Sequence, residues 1–363
     1  MIYCANPKLI DEKMTDEVLS SIQKVIASGE YILGEQVSIF EKNFSAYVNK
    51  THGVGVNSGT DALTLSLKAL NIGPGDEVIT VAHTALATVS AIIACGATPV
   101  LVDVDPLYFT IDPIKIKQAI TNKTKAVIPV HIYGQAAEMD VIIEIAQDAG
   151  IHIIEDCAQA TGAEYNGRKI GSMGTAGCFS FYPTKNLGGI GDGGMVVASD
   201  TNFASKVTSL RQYGWDNRRD ASSTGLNSRL DELQAAILNI KLKYITCHNQ
   251  QRSNLAHLYD NYLKAQGIKT PEVRSGSTHV YHLYVVQCDD RVAVQKKMNS
   301  KGIFPGIHYP KPIHFQSGYK NLCKIPDEGL PITEMLSNTI LSLPMYPGLD
   351  EAKIKVISDC FMG

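Results

Sequence analysis

The 363-residue sequence predicts an α/β layered fold with a mostly parallel sheet, followed by a smaller α/β domain. Three features support this. Short apolar runs recur between about residues 53 and 200, and the earlier ones alternate with stretches of helical periodicity. The runs are continuously apolar, as strands buried on both faces are. The length accommodates two domains of about 150 residues each.

Taken in order, the strand candidates are the segment before Asn57, then 77–82, 99–104, 125–131, 151–156, 178–182 and 194–199. Helical stretches fall near 60–70, 84–95, 112–120 and 138–149. From about residue 228 one long helical pattern runs to Gly267, where glycine favours a stop. The division expected is 1–245 for the large domain and 246–363 for the small one. The latter holds a strand at 281–288, a helix near 291–300, a proline-rich loop at 304–314 and a closing helix from about 350.

Composition removes several classes of function. There are 33 basic and 36 acidic residues, a net charge of −3, and no basic run longer than a pair such as Arg218-Arg219, so a nucleic-acid backbone binder is not expected. No uninterrupted apolar stretch reaches the ~18 residues of a membrane span. Residues 1–8 carry neither a basic nor an apolar export signal, which makes the cytoplasm the expected compartment. Eight single cysteines without a CxxC pair read as reduced thiols, not a zinc site or disulfide framework. His279 and His282, three apart in a strand-like segment, should face opposite ways, so no metal site is expected.

In a parallel sheet, ligands gather at the carboxyl ends of strands, so the polar residues there come first. Asn57-Ser58-Gly59-Thr60 precedes a helix with Leu63, Leu67 and Leu70 in register. Its amides and dipole suit an anion, although an ordinary Ser cap has the same appearance. Asp156 follows a buried run, where a carboxylate can hold a ring nitrogen protonated or simply cap the next helix. Lys185 lies just past another apolar strand and beside glycines 188, 189, 191, 193 and 194. Close backbone there desolvates the amine and lowers its pKa toward that of a Schiff-base lysine. Ser180 faces away from Phe179 and Phe181, toward the same ligand.

Four strings in one order, SGTDAL, EDCAQATGA, FSFYPTKNLGGIGDGG and GLNSRLDELQAAIL, resemble the DegT/DnrJ/EryC1/StrS family of sugar aminotransferases dependent on pyridoxal 5′-phosphate. The resemblance runs from about residue 28 to 314. It implies an aspartate-aminotransferase-like fold (fold type I) with a seven-stranded sheet. It makes Lys185 the cofactor lysine, Asp156 the partner of the pyridine nitrogen and Gln159 a neighbour of the phenolic oxygen. Gly59, Thr60 and Ser180 fall where the family holds the phosphate. Asn227 matches an asparagine that reaches the phosphate from the neighbouring subunit, which implies a homodimer with shared sites.

Two positions depart from the pattern. Ala85 stands where an aromatic residue usually covers the pyridine ring, which leaves His83 as the nearest stacking candidate, or as a structural histidine. Cys157 replaces a common alanine and reads as a packed side chain. The resemblance implies transfer from an amino acid, glutamate, to a nucleotide-linked keto sugar. RQYGW at 211–215 points to C3 of a dTDP-linked 3-keto-6-deoxyhexose, with C4 amination of a UDP- or dTDP-linked 4-keto sugar as the alternative. Tyr213, His308 and Tyr309 are the sugar-nucleotide candidates, Tyr213 with the alternative of packing against the interdomain helix. A dehydratase of the same fold carries histidine at the Lys185 position, and a non-catalytic regulator sharing the pocket is the rival of another class.

Overall fold

A computed structural model describes residues 1–8, 12–216 and 218–362. Its main sheet has seven strands: β1 (His52–Val56), β2 (Glu77–Val81), β3 (Thr98–Val102), β4 (Thr124–Val127), β5 (His152–Asp156), β6 (Ala176–Ser180) and β7 (Gly194–Ala198). The order across it is β1-β7-β6-β5-β4-β2-β3. β7 runs antiparallel to β1 and β6, and the remaining pairs are parallel. The carboxyl ends of β5 and β6 therefore lie side by side, Asp156 opposite Cys178 in register, which brings the segments carrying Asp156 and Lys185 to one edge of the sheet.

The helices of the large unit are α1 (Glu12–Ser28), α2 (Glu35–Tyr47), α3 (Gly59–Ala69), α4 (Leu86–Ala94), α5 (Pro113–Ala119), α6 (Met139–Ala149), α7 (Thr201–Leu210) and α8 (Glu232–Leu242). Buried apolar side chains form a cluster on each face of the sheet, as continuously apolar strands require. In one, Phe40 and Phe44 of α2 meet Phe179 and Phe181 edge-on at 4.8–5.2 Å between ring centres. The other holds Leu63, Leu65 and Leu67 of α3 with Ile92, Val196 and Val207. Phe179 and Phe181 thus sit in the core while Ser180 between them stays half-buried on the opposite side.

The chain continues with α9 (Ile245–Lys264), β8 (Tyr284–Gln287), α10 (Arg291–Ser300), α11 (Pro331–Thr339), β9 (Ile340–Leu343) and α12 (Glu351–Ser358). β8 and β9 pair antiparallel, and a third cluster gathers Tyr259, Leu263, Tyr284, Val286, Met298, Ile354 and Ile357. The single long helix expected from residue 228 is two. Lys243 and Tyr244 bond three residues back, to Ile240 and Lys241, and the halves part because α8 packs on α1 and α2 while α9 packs on α12. The strand expected at 281–288 begins only at Tyr284, because Tyr281, at φ 45°, turns the chain before it.

Candidate active site

Asp156 is the last residue of β5 and is 6% exposed. Thr88, in the first turn of α4, donates to its Oδ2 at 2.8 Å, and Thr84 donates to Thr88 in turn at 2.9 Å. The Ala158 amide approaches Oδ1 at 3.2 Å. Burial pushes this carboxyl up, while Thr88, Ala158 and the Lys185 ammonium pull it down. A protonated ring nitrogen placed against it would add a further pull toward the charged form.

Lys185 follows β6 in a turn closed by its own amide on the Tyr182 carbonyl at 2.8 Å. Desolvation of its amine lowers the pKa from 10.5 to about 8, with Asp156 opposing the shift. Its Nζ lies 3.5 Å from His282 Nε2. A part-buried amine of reduced basicity beside a buried carboxylate is the pair that covalent amine chemistry needs.

The helix that follows β1 serves both readings of its sequence. Ser58 caps α3, its hydroxyl accepting from the Asp61 amide at 3.1 Å. Gly59 then lies against Ser180 so closely that a Cβ on it would stand 2.8 Å from the Ser180 Cβ. The result is a cradle of bare backbone, a helix N-terminus and one hydroxyl, with Thr60 as its next residue. The donor set fits pyridoxal phosphate: the cradle for the phosphate, Asp156 for the ring nitrogen and Lys185 for the aldehyde.

Gln159 is also buried, and its carboxamide is partly engaged. The Tyr133 amide donates to Oε1 at 2.8 Å, and Nε2 donates to Tyr309 Oη at 3.2 Å. One Nε2 hydrogen is left for a phenolic oxygen. His83 is 2% exposed and meets Tyr133 and Phe109 edge-on. Because the Tyr133 hydroxyl donates to the His308 carbonyl, His83 Nε2 must donate to it, at 2.7 Å. Burial drops the His83 pKa to about 4, so the ring is neutral. His308 and Tyr309, both half-buried, come to the same place from the far end of the chain.

Not every candidate converges on this edge. Asn227 and Tyr213 are exposed on the 211–231 segment. That segment is fixed by Ser228, whose hydroxyl donates to Asp61 at 2.6 Å and accepts from the Asn57 amide at 3.1 Å. Tyr213 packs on Trp215 with ring centres 5.0 Å apart. Trp215, Arg219, Arg229 and His52 line an open cavity of about 900 Å³ that includes neither Lys185 nor Asp156.

Three contributors escaped the sequence reading: Thr88, Tyr133 and His282. Thr84 and Thr88, four apart at the start of a predicted helix, were the one visible signal. His282 was set aside by strand alternation, but His279 and His282 precede β8, and His279 stacks on Tyr281 at 4.0 Å while His282 turns to Lys185. His131, Glu155 and Cys157 also group within 4.8 Å. Glu155 there already accepts from His131 and from the amides of Gly171, Met173 and Gly174, which makes it a brace beneath β5.

A profile of the DegT/DnrJ/EryC1/StrS aminotransferase family matches residues 12–362. The chain is 43% identical over 345 residues to the UDP-N-acetyl-3-dehydro-alpha-D-glucosamine 3-aminotransferase of Acidithiobacillus ferrooxidans, covering 95% of this chain and 93% of the relative. It is 43% identical over 350 residues to the dTDP-3-amino-3,4,6-trideoxy-alpha-D-glucose transaminase of Streptomyces venezuelae, covering 96% and 92%. A pleiotropic regulatory protein of Geobacillus stearothermophilus is 42% identical over 343 residues, covering 94% and 92%. Among solved structures, S. venezuelae DesV in complex with a ketimine intermediate superposes with a TM-score of 0.95 at 41% identity, covering 99% of this chain and 97% of that one.

Proposed function

The chain belongs to the DegT/DnrJ/EryC1/StrS aminotransferase family, and from that premise we propose that it moves an amino group from glutamate to C3 of a dTDP-linked 3-keto-6-deoxyhexose. The observation that carries the reading is the part-buried, weakly basic Lys185 amine at the sheet edge that also holds Asp156. Pyridoxal 5′-phosphate, the cofactor of the family, supplies the carbonyl that takes up the amino group and a ring that accepts the electron pair left at the substrate carbon.

The protein's own residues do the rest. Asp156 holds the proton on the ring nitrogen, oriented by Thr88. The Lys185 amine, once free, takes the proton from the substrate carbon and delivers it to the former aldehyde carbon, two atoms away across the linking nitrogen. Gly59, Thr60 and Ser180 bind the phosphate, and Gln159 orients the phenolic side of the ring. His83, held by Tyr133, forms the wall where Ala85 offers no ring. His308 and Tyr309 meet the sugar nucleotide, and Tyr213 does so from a second copy.

Asn227, exposed on its own subunit, reaches the phosphate of a second copy, so the working unit is a homodimer. The same reading divides the chain at 245/246, which the cluster around Tyr259 supports by drawing its buried members from residues 255–360. Among the described residues no helix is long and apolar enough to cross a membrane, and the cytoplasm is the compartment of the proposed enzyme.

C3 is favoured because the enzymes named for two relatives act at that carbon, one on a UDP-sugar and one on a dTDP-sugar. The test is incubation with glutamate and, separately, dTDP- and UDP-linked 3-keto and 4-keto sugars, followed by NMR location of the new amine. The amine should appear at C3 of the dTDP-linked 3-keto sugar. Amination at C4 alone, or of UDP-sugars alone, overturns the substrate assignment, and absence of amination with every acceptor overturns the enzymatic reading.

A further inference from the structure

The groups facing the Lys185 amine differ in one respect. Asp156 is engaged by Thr88 and Ala158. His308 pairs its Nδ1 with the Ser342 hydroxyl at 2.9 Å. His282, 7% exposed, has its Nε2 at 3.5 Å from Lys185 Nζ, and its buried Nδ1 meets no partner among the described residues. Nothing therefore locks the tautomer of this ring, and Nε2 can accept from an ammonium or donate to a neutral amine.

The ring's position is built, not incidental. Gly134 comes so close to the segment that a Cβ on it would stand 3.0 Å from the His282 amide nitrogen. The Val280 and Leu283 amides donate to Gly134 and Tyr133, and Arg252 donates to the Tyr281 carbonyl at 3.1 Å. Asn186, the neighbour of Lys185, donates to the Val280 carbonyl at 2.9 Å. The lysine turn and the histidine segment are thus tied to each other on both sides of the contact.

We propose that His282 is a positioning residue for Lys185, a neutral imidazole that receives the lysine amine whenever it is not bonded to the cofactor. The proposal rests on Lys185 being the cofactor lysine. Burial, with Lys185, Arg252, His308 and His279 nearby, holds His282 well below the usual histidine range, so it stays uncharged and does not relay the proton itself. Its role is to stabilise the ammonium form and to keep the amine close to the reacting carbons.

The full chain loaded with pyridoxamine phosphate leaves Lys185 Nζ free, and its acylation by acetic anhydride can be followed against pH by mass spectrometry of the Lys185 peptide. Removing the acceptor in His282→Leu should lower the midpoint by ~1 pH unit and raise the acylation rate at pH 7 about fivefold. His282→Gln, which places a carboxamide at the Nε2 position, should restore the wild-type midpoint, and pyridoxamine phosphate affinity should hold within about two-fold. If His282→Leu does not fold, the smaller His282→Ala takes its place with the same expected fall. An unchanged midpoint in the apolar variant, or an equal fall in His282→Gln, overturns the role. Borohydride reduction of the pyridoxal phosphate complex reports separately on the premise, since an adduct on another lysine removes Lys185 itself.

Discussion

Desolvation takes the Lys185 ammonium from 10.5 to about 8, so between those values the unfolded chain binds more protons than the folded one. Unfolding free energy must then rise with pH across that window. The cost of holding this lysine is fully present below about pH 8 and gone above about 10.5. In cofactor-free protein, Lys185→Met should be more stable than wild type at pH 7, by a margin that shrinks as pH climbs toward 10.5, measured by urea denaturation. A margin independent of pH contradicts the desolvated amine. Asp156→Asn keeps shape and loses charge; with cofactor retained, transamination should slow at least ~10²-fold, on the order of 3 kcal/mol in the barrier. Wild-type turnover in that variant contradicts its role. Lys185, Asp156 and Ser180 were legible because each closes or follows an apolar run. Thr88, Tyr133 and His282 were not, because each becomes a neighbour only through contacts that span 26–97 positions of the chain.

At the level of elements, what reads clearly is what is apolar. All seven strands of the main sheet lie at or within a few residues of their apolar runs, and α10 falls at the expected 291–300. The helix α11 passed unread because its buried face is Thr333, Leu336 and Ser337, two of them polar, with Thr333 bonded to Asp103 at 2.7 Å. A polar buried face erases the periodicity on which sequence reading depends. The contact between α3 and β6 is the element pair that matters for the cofactor. In Gly59→Ala the new methyl must displace either the helix or Ser180, and overpacking of this kind costs about 1–3 kcal/mol. Stability should fall by that order and cofactor affinity at least tenfold. Ser180→Gly removes the opposing Cβ, so the double variant should regain much of the stability, while affinity stays low because the hydroxyl is gone. Strictly additive losses in stability would show that the two residues do not share the contact.

At the scale of the whole molecule, the 211–231 segment decides whether one chain suffices. Ser228 fastens it to Asp61 beside the phosphate cradle, yet the neighbouring Asn227 and Tyr213 point their side chains to the surface. On the proposed reading a second copy placed there would supply those residues to the opposite site and complete both at once, as a two-fold arrangement demands. Subunit mixing tests this directly. Lys185→Ala should be inactive for lack of its amine, and Asn227→Asp should be impaired because it would set a carboxylate against the phosphate. In a heterodimer of the two, one site loses both groups, whereas the other pairs an intact Lys185 with an intact Asn227. Complete exchange at equal concentrations leaves half the dimers mixed, so recovery should approach about a quarter of wild-type activity. If each chain were self-sufficient, every site would keep its own defect. Mixing would then return only the average of the two parents, even after native mass spectrometry had verified exchange.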